Sequence, residues 1–259
     1  MTALIADQLR ERRRSLLSWG LPIGLWSAFV VAIFPSIEAA LAKAIRNYPA
    51  ALKEAFGIGE LSTVEQYLHA EMLSLIVPLA VGYLAVRSVA SGLSGAAESG
   101  RLDVLLSAPV SRHRLVTAGF CATAIELAGV LVIAVALTLV GSVLAGAGLS
   151  FGSALAGFAN VWPLALLSGG LGVVITGLSL RTSVVTGSAA GVLVGMYVVD
   201  LVGRLDPSLD AIRYLSVFRY YGRAIENGIE PLSFVGVTIG AVALAAVGAV
   251  LFERRDLFS

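Results

Sequence analysis

Two sets of ionisable residues interrupt an otherwise apolar chain, and each could do something an apolar residue cannot. The first is the run Glu98-Ser-Gly-Arg-Leu-Asp-Val-Leu-Leu-Ser-Ala-Pro-Val-Ser-Arg-His-Arg114. Read as a helix over 98–107, it carries Glu98, Arg101 and Asp103 as charges, with Leu102, Leu105 and Leu106 at helical spacing on one side. Gly95 and Gly100 loosen the approach, and Pro109 stops the helix because the residue before a proline is pushed out of the helical region. Arg112 and Arg114 follow and suit the headgroup level. A short amphipathic helix held between two apolar stretches is a place where a soluble partner can dock and pass on force. A solvated loop with snorkelling arginines explains the same charge pattern more plainly. The second set is a single residue, Glu126, about three turns into a long apolar run. A carboxylate in lipid costs about 2.5–3.5 kcal/mol on insertion scales, so it must face protein or water. It could line a substrate path or carry a proton, and it could equally be protonated or paired as a structural contact.

The elements that must position these groups are membrane spans. The chain of 259 residues is 58% hydrophobic and 14% charged, with mean hydropathy +0.89, whereas a water-soluble domain has about 25% charged residues. A bilayer core about 30 Å thick needs roughly 20 apolar residues per helix. Six stretches qualify: 16–35, 72–93, 115–146, 155–180, 184–202 and 232–252. The apolar run after Arg10, Arg12, Arg13 and Arg14 is too long for a signal-peptide core and reads as a retained first span. Six spans put both termini on one side. With that arrangement, 11 of the 18 Lys and Arg residues but 6 of the 17 acids fall on the side of the termini, which is therefore expected to be cytoplasmic.

The parts between the spans follow from the same division. Residues 1–15 form an expected amphipathic surface helix. Residues 36–71 and 203–231 form two outer loops, the first helical, the second with aromatics beside Arg219 and Arg223 at headgroup level. Both are read as interfacial cover rather than ligand sites. Residues 94–114 form the cytoplasmic segment described above, and the chain as a whole is expected to be one transmembrane domain. Asp200 and Arg204 stand four apart at the outer end of the fifth span, the spacing of an ion pair on one helix face. In the same span Gly187, Gly191 and Gly195 repeat every four residues and make a smooth face for close helix packing, or for a subunit interface that slides.

Several function classes are excluded. No Gly-x-x-x-x-Gly-Lys-Ser/Thr loop exists, and the only lysines, Lys43 and Lys53, fall on the outer side, so the chain is not its own phosphate-loop motor. His69 and His113 lie on opposite sides, and Cys121 is the only cysteine, so no metal site or disulfide is expected. A net charge of +1 gives no field for nucleic acid. No Ser/His or paired-carboxylate arrangement at one depth supports an intramembrane hydrolase.

Residues 98–115 resemble the cytoplasmic signature of ABC-2 type transporter permeases: an acidic residue, Gly, a Leu-rich turn, then Pro-Val-Ser-Arg leading into the third span. Leu9-Arg-Glu-Arg-Arg-Arg-Ser-Leu-Leu-Ser-Trp19 is similar to that family's basic elbow, Leu215-Ser-Val-Phe-Arg-Tyr-Tyr221 to its aromatic element before the last span, and Phe252-Glu-Arg-Arg-Asp256 to its basic ending. Val217 stands where the family often has Pro. The resemblance covers essentially the whole chain. It implies an all-α membrane protein of six spans with an elbow helix and a coupling helix at 97–107, in a bacterial cytoplasmic membrane. Two such subunits, either two copies or a copy and a paralogue, pair to export drugs, antibiotics or lipid-like compounds. A separate ATPase docks on the coupling helix, so ATP and magnesium belong to that partner and this chain needs no cofactor. By that resemblance Glu98, Gly100, Arg101, Leu102, Asp103, Leu105, Leu106, Pro109 and Arg112 form the coupling element. Two other readings remain open: an ion-coupled secondary transporter using Glu126, and a membrane scaffold without transport.

Overall fold

The computed structural model describes residues 2–46, 62–98 and 111–254. Every regular element among them is helical. The elements are α1 (Thr2–Glu11), α2 (Arg13–Arg46), α3 (Val64–Leu68) running into a π-helical turn (His69–Leu73), α4 (Ile76–Glu98), α5 (Arg112–Ala145), α6 (Phe151–Ala159), α7 (Val161–Leu178), α8 (Thr182–Leu205), a 3₁₀ segment (Pro207–Leu215), α9 (Val217–Tyr221), α10 (Ala224–Asn227) and α11 (Pro231–Glu253). Six helices or helix pairs are long and apolar enough to cross a membrane: α2, α4, α5, α6 with α7, α8 and α11. They correspond in order to the six expected stretches. The protein is an all-α, multi-pass membrane protein.

The first and fourth spans differ from the sequence expectation, and the third ends where it was expected to. The first span does not end at Pro35; α2 runs on to Arg46 with Pro22 and Pro35 inside it. A proline removes one backbone hydrogen bond, and the remaining ladder with its packing carries the helix through. At 34 residues α2 is about 51 Å long, well beyond the roughly 30 Å of a hydrocarbon core. The fourth span is interrupted at Asn160, where the buried Asn160 side-chain amide donates to the Tyr221 carbonyl across the fold. The third span is one unbroken helix of 34 residues and stops at Gly146, whose φ of 64° closes the last turn as only glycine does without strain.

The core runs through all six spans, from Val30 and Val31 through Leu84, Leu127 and Leu164 to Leu193 and Ala241. A second cluster joins Val89, Leu93, Leu115 and Val116 to Phe252. It brings the end of α4, the start of α5 and the end of α11 together on one face, here called the termini face. The opposite face, the loop face, carries the π-turn, the 3₁₀ segment and α9–α10. Only 22% of the apolar window of α8 and of α11 is buried, so both present most of their surface outward.

Glycines set how closely the helices approach. The α7 and α11 backbones nearly touch: a Cβ at Gly170 would stand 2.6 Å from the Ala241 carbonyl oxygen, and one at Gly248 would stand 2.6 Å from the Val173 carbonyl carbon. Gly141 of α5 meets the backbone of Ala28 in α2 in the same way, at 2.7 Å. The three glycines singled out in the fifth span behave otherwise. Gly187, Gly191 and Gly195 are exposed, and a Cβ on any of them would meet nothing within 4 Å. Gly170→Ala should therefore lower the stability of the detergent-solubilised monomer by about 1–3 kcal/mol, because backbone cannot yield to the added methyl. Gly191→Ala should leave stability unchanged or raise it by up to about 1 kcal/mol, because alanine is the better helix former. Thermal unfolding of the two variants side by side checks this, and equal losses would contradict it.

Candidate functional site

Polar chemistry concentrates at three places, one on each face and one inside the bundle. At the termini face the seam lies between α4 and α8. The N-terminus of α8 has unpaired backbone N–H groups and a positive dipole end. Its own cap residue, Arg181, makes no side-chain cap. Glu98, the last residue of α4, supplies one instead. Its Oε1 accepts from the Thr182 N–H at 2.9 Å, and its Oε2 accepts from the Thr182 hydroxyl at 2.8 Å. Those two bonds, first the hydroxyl and then the N–H, hold the Glu98 carboxyl below the usual carboxylate range. The first residue of the charged run is thus tied to the start of the fifth span, which nothing in their separation of 84 positions announces. Across the run, Ser111 caps α5 by accepting from the Arg114 N–H, and Arg112 stands half-buried in its first turn. Gly100, Arg101, Leu102, Asp103, Leu105, Leu106 and Pro109 lie outside the described residues.

Inside the bundle, Glu126 is fully buried on α5. It faces Arg12, at the break between α1 and α2. Arg12 Nη1 donates to Glu126 Oε2 at 3.0 Å and to the Thr123 hydroxyl at 2.7 Å, and Nη2 donates to the Ser88 carbonyl at 3.2 Å. The Ser88 hydroxyl donates to the same Glu126 oxygen at 2.8 Å. Glu126 Oε1 is buried without a partner among the described residues. The structural alternative for Glu126, pairing, is therefore the arrangement observed, and it pins the N-terminal helix to α4 and α5. By sequence position Arg12 belongs to the expected surface helix, 1–15. A one-residue helix break that lets the arginine turn inward leaves no trace in periodicity.

On the loop face, α8 ends in a charge network. Buried Asp200 accepts from Arg204, four residues on, as its spacing suggests, and also from Arg213 Nε at 2.9 Å. Asp210 accepts from Arg213 at 2.8 Å and Arg219 at 3.0 Å. The bonds from Arg219, then Arg213, hold the Asp210 carboxyl low. Arg219 also lies 3.9 Å above the centre of the Tyr214 ring. Gly203 makes room for this, since a Cβ there would collide with Arg213. The network walls a cavity of about 400 Å³, lined by His69, Arg204, Asp210, Arg213, Arg219 and Arg223 among others. From the sequence alone this region is expected to be interfacial cover. Its arginines are scattered from 204 to 223, and only the fold gathers them around His69 from the π-turn.

The chain matches the family described as "Multidrug efflux system permease Rv1217c, C-terminal domain" over residues 4–253. No curated protein matches it significantly. The match takes in all six spans and all three polar centres, and the fold is that of a polytopic helical permease with no strand among its described residues. On that extent, the chain belongs to the family of the C-terminal domain of the multidrug efflux system permease Rv1217c.

Proposed function

We propose that this chain is the membrane subunit of an ATP-driven exporter of the ABC-2 type, with both termini cytoplasmic. It pairs with a second permease copy or a paralogue and carries a hydrophobic or amphiphilic compound, such as a drug, antibiotic or lipid-like molecule, outward. A separate phosphate-loop ATPase docks on the segment that starts at Glu98 and supplies ATP and magnesium chemistry. The observation that carries this reading is the bond pair from Thr182 to Glu98. A partner pressing on the 97–107 segment acts on α4 directly and, through that carboxylate, on the start of α8. The helix so moved is among the least enclosed of the spans and carries the open glycine face. That face supports placing the second subunit there, since small residues let helices come close.

The ion-coupled reading draws less support, because Glu126 is already engaged by Arg12 and Ser88. The test is capture of the tagged chain from its native membranes in mild detergent. A stoichiometric phosphate-loop ATPase should co-purify with the wild type and be lost when Arg101 and Asp103 are both reversed in charge. Transport retained in preparations free of any ATPase would overturn the reading.

A further inference from the structure

The loop-face cavity has more cationic donors than its acids can use. Four arginines and one aspartate line it, with Asp200 behind. Arg213 bonds Asp200 through Nε and Asp210 through Nη1, and Arg219 bonds both Asp210 oxygens through Nη1. The other two have fewer bonds to carboxylates. Arg204 spends its Nη2 on Asp200, while its Nε is buried with no partner among the described residues. Among the described residues Arg223 has one ion pair, to Glu226, and at 3.7 Å it is beyond hydrogen-bond length. His69 lines the same cavity. It is only 6% exposed, and its ring nitrogens have no hydrogen-bond partner among the described residues. Burial pushes the imidazole down to about 4, and the charges of Arg223 and Arg204 add to that push, so at neutral pH the ring is uncharged and offers one N–H.

We infer that this cavity binds a phosphate group, held by Arg204, Arg223 and His69 on the loop face. The donor set fits the chemistry. A guanidinium presents planar N–H donors that match phosphate oxygens, and both Arg204 and Arg223 line the cavity. A volume near 400 Å³ exceeds what a bare anion fills and lies in the range of small-ligand pockets. Exposed Leu205, Leu209, Tyr214 and Leu215 are chain neighbours of the lining residues Arg204, Asp210 and Arg213, an apolar surface of the kind that sits at headgroup depth. Two sources share this chemistry: the headgroup of an anionic phospholipid, and free phosphate or a phosphorylated solute. The inference does not depend on how transport is powered.

The test is calorimetric titration of the full chain in nonionic detergent with dioctanoyl phosphatidic acid, dioctanoyl phosphatidylcholine and inorganic phosphate. Dioctanoyl phosphatidic acid should bind saturably, bind less well as salt is raised, and weaken about tenfold in Arg223→Gln, which loses the least-paired fork. His69→Leu, which leaves every arginine in place, should weaken it as well. Inorganic phosphate that competes at similar affinity identifies the free anion as the ligand; binding confined to phosphatidic acid identifies the lipid headgroup. Equal binding of phosphatidylcholine, or phosphatidic acid binding unchanged in both variants, would overturn the inference.

Discussion

Replacing Arg12 with Met should lower the stability of the detergent-solubilised protein by about 3–5 kcal/mol, the range seen when one partner of a buried ion pair is removed. Glu126 is fully buried, and one of its oxygens already has no described partner. Without Arg12, its other oxygen keeps only the Ser88 hydroxyl. The loss extends past the carboxylate, since the Arg12 guanidinium also bonds Thr123 and the Ser88 carbonyl and so ties three helices together. Arg14, exposed one residue beyond Arg13 on the same helix, is the control; Arg14→Met should cost little. The double variant Arg12→Met with Glu126→Leu should recover most of the loss, because an apolar pair of similar volume no longer strands a charge. Thermal or denaturant unfolding of the four proteins reads this out. If Arg12→Met costs no more than Arg14→Met, the pair contributes nothing to stability.

This pair also shows how much the sequence discloses. All six spans are visible in it because membrane insertion writes itself as uninterrupted apolar length, and a run such as 115–146 has no other reading. Glu126 stands out for the same reason. Its partner does not, since Arg12 is one of four neighbouring arginines and only the turn after Glu11 sends that one inward. The loop-face cavity is less legible still. Asp200 and Arg204 announce each other by spacing, but Arg213, Arg223 and His69 come from three different elements, and no local pattern records their meeting. The glycines divide likewise. Gly170 and Gly191 look alike as letters, yet one is pressed against Ala241 and the other faces open space, a difference set wholly by which neighbour the topology supplies.

Severing Glu98 from Thr182 should uncouple the permease while leaving its fold intact. The contact is exposed, so Glu98→Ala removes solvent-facing bonds at a helix end and the thermal midpoint should scarcely move. Transport should respond differently. If motion of the proposed coupling segment reaches α8 through this carboxylate, its loss removes a coupling free energy, and such energies are typically worth about tenfold in the coupled activity. Export by Glu98→Ala should therefore fall on the order of tenfold, while ATP hydrolysis by the proposed partner continues. A graded series separates charge from contact. Thr182→Val deletes the hydroxyl bond but keeps the backbone one, and should lose less than Glu98→Ala. Glu98→Gln keeps an acceptor for the α8 N–H but gives up the negative charge at the dipole's positive end, and should fall between them. Transport into inverted vesicles, measured beside ATP hydrolysis in the same preparations, distinguishes uncoupling from misfolding. In the first case hydrolysis outlasts transport, and in the second both are lost with the protein. Full transport in Glu98→Ala would mean that force reaches the spans by another route, with Arg112 and the start of α5 the next element to test.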